Sequence, residues 1–244
     1  MELKVIGAPD SHDTLLQILE SRPPCRVLDA PSGTGVIAQR LLQLGYDVHC
    51  ADIDPGNLKL ADVPFTQANL NRGLNLPNDS FDMVVCANGV HRLFSLGNCL
   101  REFARVLRPG GTLLVNVNNY ASIDRRLRFL FYGSLDNAVN DAHCNQTIED
   151  PEANVRIALH LPHLLNQLEA AGFEIVSIRP AAVRSVHRLL GPVAMLVRLL
   201  SYLVPARSRR RNRLRWTRSR GVLPGGRYFF LEARLPDRAL AKAA

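Results

Sequence analysis

The chain has 244 residues, 47% of them apolar, enough to bury a full core and somewhat more than a single domain of ~100–200 residues requires. Five cysteines at positions 25, 50, 86, 99 and 144 form no C-x-x-C pair, and the histidines are scattered without ligand spacing. A disulfide framework and a zinc site are therefore excluded, a reducing, cytoplasmic setting is expected, and no metal is predicted. The formal net charge is +8, yet 13 arginines and no acidic residue lie between Ile175 and Leu231, while the remainder carries 17 basic against 22 acidic residues.

The N-terminus lacks a basic region followed by an apolar run, so a signal peptide is not expected. Ser11 to Ser21 reads as a helix with apolar Leu15, Leu16, Ile18 and Leu19. Val27-Leu28-Asp29 then reads as a buried strand, Ala30 to Gly35 as a glycine turn, and a helix begins near Val36. Glycines at such a junction let backbone amides approach a ligand, and the helix N-terminus adds partial positive charge. Gly33-Thr34-Gly35-Val36-Ile37-Ala38 also fits the G-x-G-x-x-G/A dinucleotide pattern, but Asp29 argues against it. An ionised carboxylate two residues before the turn would repel a pyrophosphate, whereas a sulfonium or an ammonium would be attracted.

Tyr46 to Asp52 reads as the second strand, with Asp52 at its tip able to accept hydrogen bonds from ribose hydroxyls. Ile53 would lie against a flat base, and Asp54 caps a short helix that starts at Pro55. Phe65 to Asn69, Met83 to Asn88 and Thr112 to Val117 follow as strands, with Gly110 as a left-handed helix stop. Tyr120 to Tyr132 is a second candidate for substrate contact, a helix that Ser122 can cap and that bears Leu127, Phe129, Leu130 and Phe131 beside Arg125, Arg126 and Arg128; core is the alternative, favoured for Leu127 and Phe131. Leu161 to Ala171 is an amphipathic helix stopped by Gly172, and Phe173 to Ile178 and Tyr228 to Ala233 are the last strands.

The segment Asp29-Ala30-Pro31-Ser32-Gly33-Thr34-Gly35 resembles the D-x-G-x-G-x-G loop of class I S-adenosylmethionine-dependent methyltransferases, with Pro31 where the family usually has its first glycine. Leu76-Pro77-Asn78-Asp79-Ser80-Phe81-Asp82 is similar to the family's turn into the fourth strand, and Arg105-Val106-Leu107-Arg108-Pro109-Gly110-Gly111 to its R-V-L-x-P-G-G turn. These pieces occur in the family's order, firmly over residues 26 to about 119 and more loosely over 160–180. The resemblance implies an α/β, Rossmann-like seven-stranded sheet, mostly parallel with an antiparallel last strand and helices on both faces. S-adenosylmethionine is the implied cofactor, held by Asp29, Pro31, Ser32, Gly33, Gly35, Asp52, Ile53, Asn69, Leu70, Cys86 and Asn88. Asn69 stands where the family often has an aspartate near the adenine amino group. His91, just past the fourth strand, is the candidate base, with a merely structural role as its alternative.

The implied domain comprises residues 1–180 with 227–236, leaving 181–226 as an insertion and 237–244 as a tail. Strands six and seven are usually joined by a short connection, but about fifty residues separate them here. Within the insertion, Pro192 to Val204 reads as an apolar helix, followed by eight arginines between Arg207 and Arg220 and by Trp216. At 1.5 Å per residue that helix spans roughly 20 Å, too short for a ~30 Å hydrocarbon core. Contact of 186–220 with an anionic membrane surface is expected, which would hold the protein peripherally on the membrane's inner face; packing on its own domain or a dimer contact is the alternative. Nucleic acid is a weaker partner because few aromatic side chains accompany the arginines. The expected function is methyl transfer to a small-molecule or lipid-linked acceptor of quinone or glycan type. An RNA methyltransferase and an NAD-dependent oxidoreductase remain the alternatives.

Overall fold

Alternation of short apolar runs with amphipathic helices demands a parallel sheet covered on both faces. The computed structural model, which describes residues 3, 9–134, 157–181, 183 and 189–237, has that arrangement. Helix α1 (Pro9–Glu20) leads into β1 (Arg26–Asp29), α2 (Val36–Gln43), β2 (Asp47–Asp52), β3 (Phe65–Gln67) and β4 (Phe81–Cys86). Helix α3 (Leu96–Val106), β5 (Leu107–Asn118), α4 (Ile123–Tyr132), α5 (Leu161–Ala170) and β6 (Glu174–Ala181) follow. Three short helices, α6 (Gly191–Leu200), α7 (Ala206–Arg211) and α8 (Leu214–Thr217), precede β7 (Tyr228–Arg234).

The seven strands lie in the order β3-β2-β1-β4-β5-β7-β6. β1 to β5 are parallel, and β7 runs antiparallel between β5 and β6. One face of the sheet packs Leu28, Val84 and Val115 against Leu100, Phe103, Leu164 and Leu168 of α3 and α5. The other packs Val27, Val48 and Val85 against Leu15, Leu19 and Leu41 of α1 and α2. Parallel alignment gathers the C-terminal ends of β1, β2, β4 and β5 at one edge, where ligands bind in open α/β sheets.

The expected elements recur with shifted ends. Asp54 does cap the turn at Pro55, its Oδ1 accepting from the Gly56 amide at 2.9 Å. Gly110 is left-handed (φ +79°) but stops no helix: α3 already ends at Val106, and Gly110 kinks the entry of β5, its amide donating to Leu235. Helix α4 forms as expected, but Leu127 and Phe131 are exposed (42% and 76%) and only Ile123 is buried. Ser122 donates its hydroxyl to the Asn119 carbonyl instead of capping α4. The apolar helix of the insertion ends at Leu200, four residues early, because Ser201 turns back onto the Arg198 carbonyl and Pro205 cannot continue a helix. Cys25, Cys50, Cys86 and Cys99 are free thiols; Cys144 and most of the predicted tail lie outside the described residues.

The turn motifs near β4 serve the fold. The Arg105 guanidinium donates to both Glu102 oxygens at 2.8 Å, to the Leu74 and Leu76 carbonyls at 2.8 Å and to Asn78 Oδ1 at 2.7 Å. The fork thereby ties α3 to the loop entering β4. Arg105→Ala is expected to destabilise the fold by about 2–3 kcal/mol, since several part-buried acceptors lose a charged donor. Arg105→Lys should restore little, because an ammonium cannot reproduce the fork. Thermal unfolding of the two variants checks both outcomes.

Candidate active site

The C-terminal edge holds a cleft of about 310 Å³. It is built outward from the turn between β1 and α2. Gly33 (φ +51°) and Gly35 (φ +86°) adopt backbone conformations that L side chains avoid. The Ser32 amide donates to the Ala51 carbonyl at 2.9 Å, which pins the turn to β2. Asp52, at the tip of β2, then accepts from the Gly33 amide through Oδ2 at 2.8 Å and from the Asp54 amide through Oδ1 at 3.0 Å. A Cβ on Gly33 would meet nothing within 4 Å, so its open side is the ligand's side. Gly35 and Gly89 are tight for different reasons. A Cβ on Gly35 would come 2.9 Å from Leu58 and Leu60, and one on Gly89 would come 2.3 Å from the Pro31 ring.

Of the predicted residues, Pro31, Ser32, Gly33, Asp52, Ile53, Asn69, Leu70 and Asn88 line the cleft. Gly35 shapes the turn from behind it. Cys86 is fully buried at the end of β4, and burial pushes its thiol up to about 12, so it contributes bulk and no charge. Asn69 Oδ1 already accepts from the Asn71 amide at 3.0 Å, so one of its lone pairs is committed to the turn. His91 is buried in a single turn of 3-10 helix and does not line the cleft, whereas its neighbour Arg92 does. Residues of the wall that the motifs did not mark include His12 from α1 and Asn71. His12 comes from outside the matched motifs, so no spacing rule could have found it.

Asp29 departs most from expectation. It is wholly buried beneath the glycine turn rather than on the cleft wall, and neither carboxyl oxygen makes a hydrogen bond of ordinary geometry. Burial first, and the nearby Asp52 charge second, push its pKa up to about 8, with the Ala38 amide in the first turn of α2 offsetting part of the rise. Asp52 is raised as well by burial, against the amides of Asp54 and Gly33. Two carboxyl groups thus share one dry corner, with no cation between them among the described residues. A cationic ligand above the turn restores the charge balance, and a pyrophosphate worsens it. The wall fits S-adenosylmethionine on this ground: an open glycine face, the Asp52 carboxylate beside it, apolar Ile53 and Leu70, and a buried acidic pair whose ionisation a cation would favour.

The raised Asp29 pKa has a stability consequence with a definite sign. An unfolded aspartate titrates near 3.8, so between about pH 4 and pH 8 the unfolded chain has lost a proton that the folded chain keeps. The contribution of Asp29 is fully present below this window and is lost as pH rises through it. Asp29→Asn should remove that decline. Melting temperatures of the ligand-free protein and the variant, measured from pH 4 to 9, should converge in acid and separate in favour of the variant toward pH 8. Parallel curves would contradict the assignment.

Comparison with known proteins agrees with this geometry. Residues 28–115 match the profile of a methyltransferase domain family, Methyltransf_11. A demethylmenaquinone methyltransferase of Corynebacterium urealyticum is 38% identical over 102 residues, covering 40% of this chain and 43% of that protein. A ubiquinone/menaquinone biosynthesis C-methyltransferase, UbiE, of Shewanella frigidimarina is 32% identical over 114 residues, covering 41% and 45%. The matched stretch therefore spans less than half the length of either relative. In fold, the chain is similar to the Burkholderia thailandensis 1,6-didemethyltoxoflavin-N1-methyltransferase, solved with 1,6-didemethyltoxoflavin and S-adenosylhomocysteine bound (TM-score 0.53, 18% identity, 93% of this chain and 79% of that one). Residues 28–115, which hold the glycine turn and the Asp52 clasp, are thus similar to a methyltransferase domain, and the chain shares its fold with S-adenosylmethionine-dependent methyltransferases.

Proposed function

We propose that the protein transfers the methyl group of S-adenosylmethionine to a quinone-type, lipid-linked acceptor by in-line displacement. The observation that carries the reading is the cleft itself: an open Gly33 face and the Asp52 carboxylate above a buried Asp29. The names of the matched relatives support the acceptor class. When bound, the cofactor supplies a methyl group already activated on a sulfonium, so the chain chiefly has to orient an acceptor and exclude water.

The residues divide that work. Asp52 holds the turn and would accept from the ribose hydroxyls of the cofactor, Ile53 and Leu70 would pack on its base, and Asn69 would bind the base's amino group. Asn88, left-handed at φ +55° beyond β4, and Gly89 form the wall at the donor end with Arg92. A base is required only where the acceptor gives up a proton. Of the two histidines, His12 faces the cleft, and burial lowers its pKa, so its imidazole is neutral and able to accept a proton at pH 7. His91 is buried behind the wall, where its carbonyl accepts from the Ile157 amide at 2.6 Å. The 186–220 segment brings the protein to an anionic membrane, where a lipid-linked acceptor resides.

Calorimetry should detect S-adenosylhomocysteine binding, with Asp52→Ala weakening it more than tenfold, about 1.5–3 kcal/mol for a charged acceptor. Gly33→Ala should leave a folded protein that binds poorly, because its new methyl group enters the open face. Failure of the unaltered protein to bind at millimolar ligand would end the reading.

Turnover separates the histidines. His12→Ala is expected to lower methyl transfer by roughly 10²-fold at nearly constant cofactor affinity, with His91→Ala having the smaller effect. The reverse order would return the role to His91. Steady-state rates with a demethylated naphthoquinol as acceptor provide the measurement.

A further inference from the structure

The insertion divides into a docked half and an unpartnered half. In the docked half, Arg213 is paired with Glu169 and bonded to Asn166 of α5, Trp216 packs against the main core, and Val222 is wholly buried within it. Trp216 thus packs, partly buried, against the domain and is not the free interfacial anchor its neighbourhood in sequence suggests. Asn119 closes the join, its amide nitrogen donating to the Val222 carbonyl at 2.8 Å.

The unpartnered half is α6, and it does not stand alone. Ile123 of α4 packs with Ala194 of α6 and with Leu223, and Leu190 and Val197 complete that small cluster. On α4, Ile123, Leu127, Leu130 and Phe131 form one stripe at helical spacing, of which only the first residue is covered. Leu130 and Phe131 are 74% and 76% exposed. On α6, Met195, Leu196 and Leu199 are 64%, 55% and 57% exposed, and Leu203 beyond its end is 80% exposed. A helix apolar on all sides and buried on one has not found its second partner.

Two more observations identify that partner. Arg207, Arg210 and Arg211 follow α6, are exposed, and make no ion pair among the described residues. At the margin of the apolar surface, Arg128 lies over the Tyr132 ring (5.6 Å) and Arg218 over the Tyr202 ring (4.4 Å). Tyrosine and arginine bordering aliphatic side chains is the chemistry of a headgroup layer, where an apolar body and a polar tip are both satisfied. A soluble protein partner would need acidic groups placed against each arginine. An anionic lipid surface satisfies them without such placement. Ten residues of helix extend only about 15 Å, so α6 lies in the plane of the surface. Among the described residues, no helix is long and apolar enough to cross a membrane.

We infer that α4 and α6 together form a single docking face that inserts into the headgroup–acyl boundary of an anionic bilayer. This refines the membrane contact proposed above by adding α4, which leaves β5 at the same sheet edge as the cleft. The value of the arrangement for catalysis rests on the lipid-linked acceptor reading, whereas the docking itself does not.

Co-sedimentation with phosphatidylglycerol/phosphatidylcholine vesicles, at low and high salt, tests the inference on the full chain. Binding to anionic vesicles is expected, with a salt-resistant fraction that phosphatidylcholine vesicles lack. Leu130→Ser with Phe131→Ser should reduce binding at high salt by at least roughly tenfold, as should Leu196→Ser with Leu199→Ser. Arg210→Gln with Arg211→Gln should act mainly at low salt. Circular dichroism and S-adenosylhomocysteine affinity unchanged from the parent show that the variants are folded. The inference is overturned if the parent stays in the supernatant at low salt, or if it forms a dimer that the same serine pairs dissolve without vesicles present. It is also overturned if folded α4 variants bind as the parent does. Vesicle binding without methylation of the naphthoquinol would leave the docking face standing and remove the acceptor reading instead.

Discussion

The contact between the Asp52 carboxylate and the Gly33 amide organises this molecule's chemistry. It is a charge-assisted hydrogen bond from the tip of one strand to the turn leaving its neighbour, formed in a nearly dry corner. The turn cannot relax without breaking it, and the strand tip cannot move without dragging the turn. Everything that shapes the cleft is referred to this clasp: the left-handed glycines above it, the Asp54 amide on its other oxygen, and the Pro31 ring against Gly89. The clasp also charges Asp29 with its cost, since an ionised Asp52 is among the causes that hold Asp29 protonated. A cationic ligand favours the ionised form of both groups, which links cofactor binding to proton release from Asp29.

The arginine-rich insertion behaves as two physical objects. Its later part is stitched to the domain by Arg213, Trp216 and Val222, so several of its charges are consumed by the chain's own carboxylates and rings. Its earlier part packs one side of α6 on α4 and leaves both helices with apolar residues in solvent. Arg207, Arg210 and Arg211, which follow α6, are exposed and make no ion pair among the described residues. Net charge alone could not divide the segment in this way, because the division depends on which side chains meet α5.

Much of the fold was legible because its signals are local. Asp54 before Pro55 can satisfy the next amides without reference to the rest of the chain, and it does. The strands that bear Val27, Val48 and Val84 are buried on both faces, and they read as continuous apolar runs for that reason. Gly33 and Gly35 were legible as a turn because left-handed backbone needs glycine. Helix α4 was legible as a helix but not as an exposed one: its stripe has the spacing of a core face, and spacing does not say whether a partner surface exists. Gly110 misled similarly, since a left-handed glycine after a helix has the same appearance as one at the mouth of a strand.

The sequence by itself determined the strand and helix alternation, the glycine turn and the acidic strand tips, because these follow from backbone conformation and from hydrogen bonds between near neighbours. Only the tertiary structure decided where the charged groups stand. Asp29 lies under the turn and not beside the ligand, His91 lies behind the wall while His12 arrives on it from α1, and Trp216 packs against the core. The reason is that burial and electrostatic surroundings are set by elements far apart in the chain. A residue's type and spacing state what it can do, and the packing around it states which of those things it is free to do.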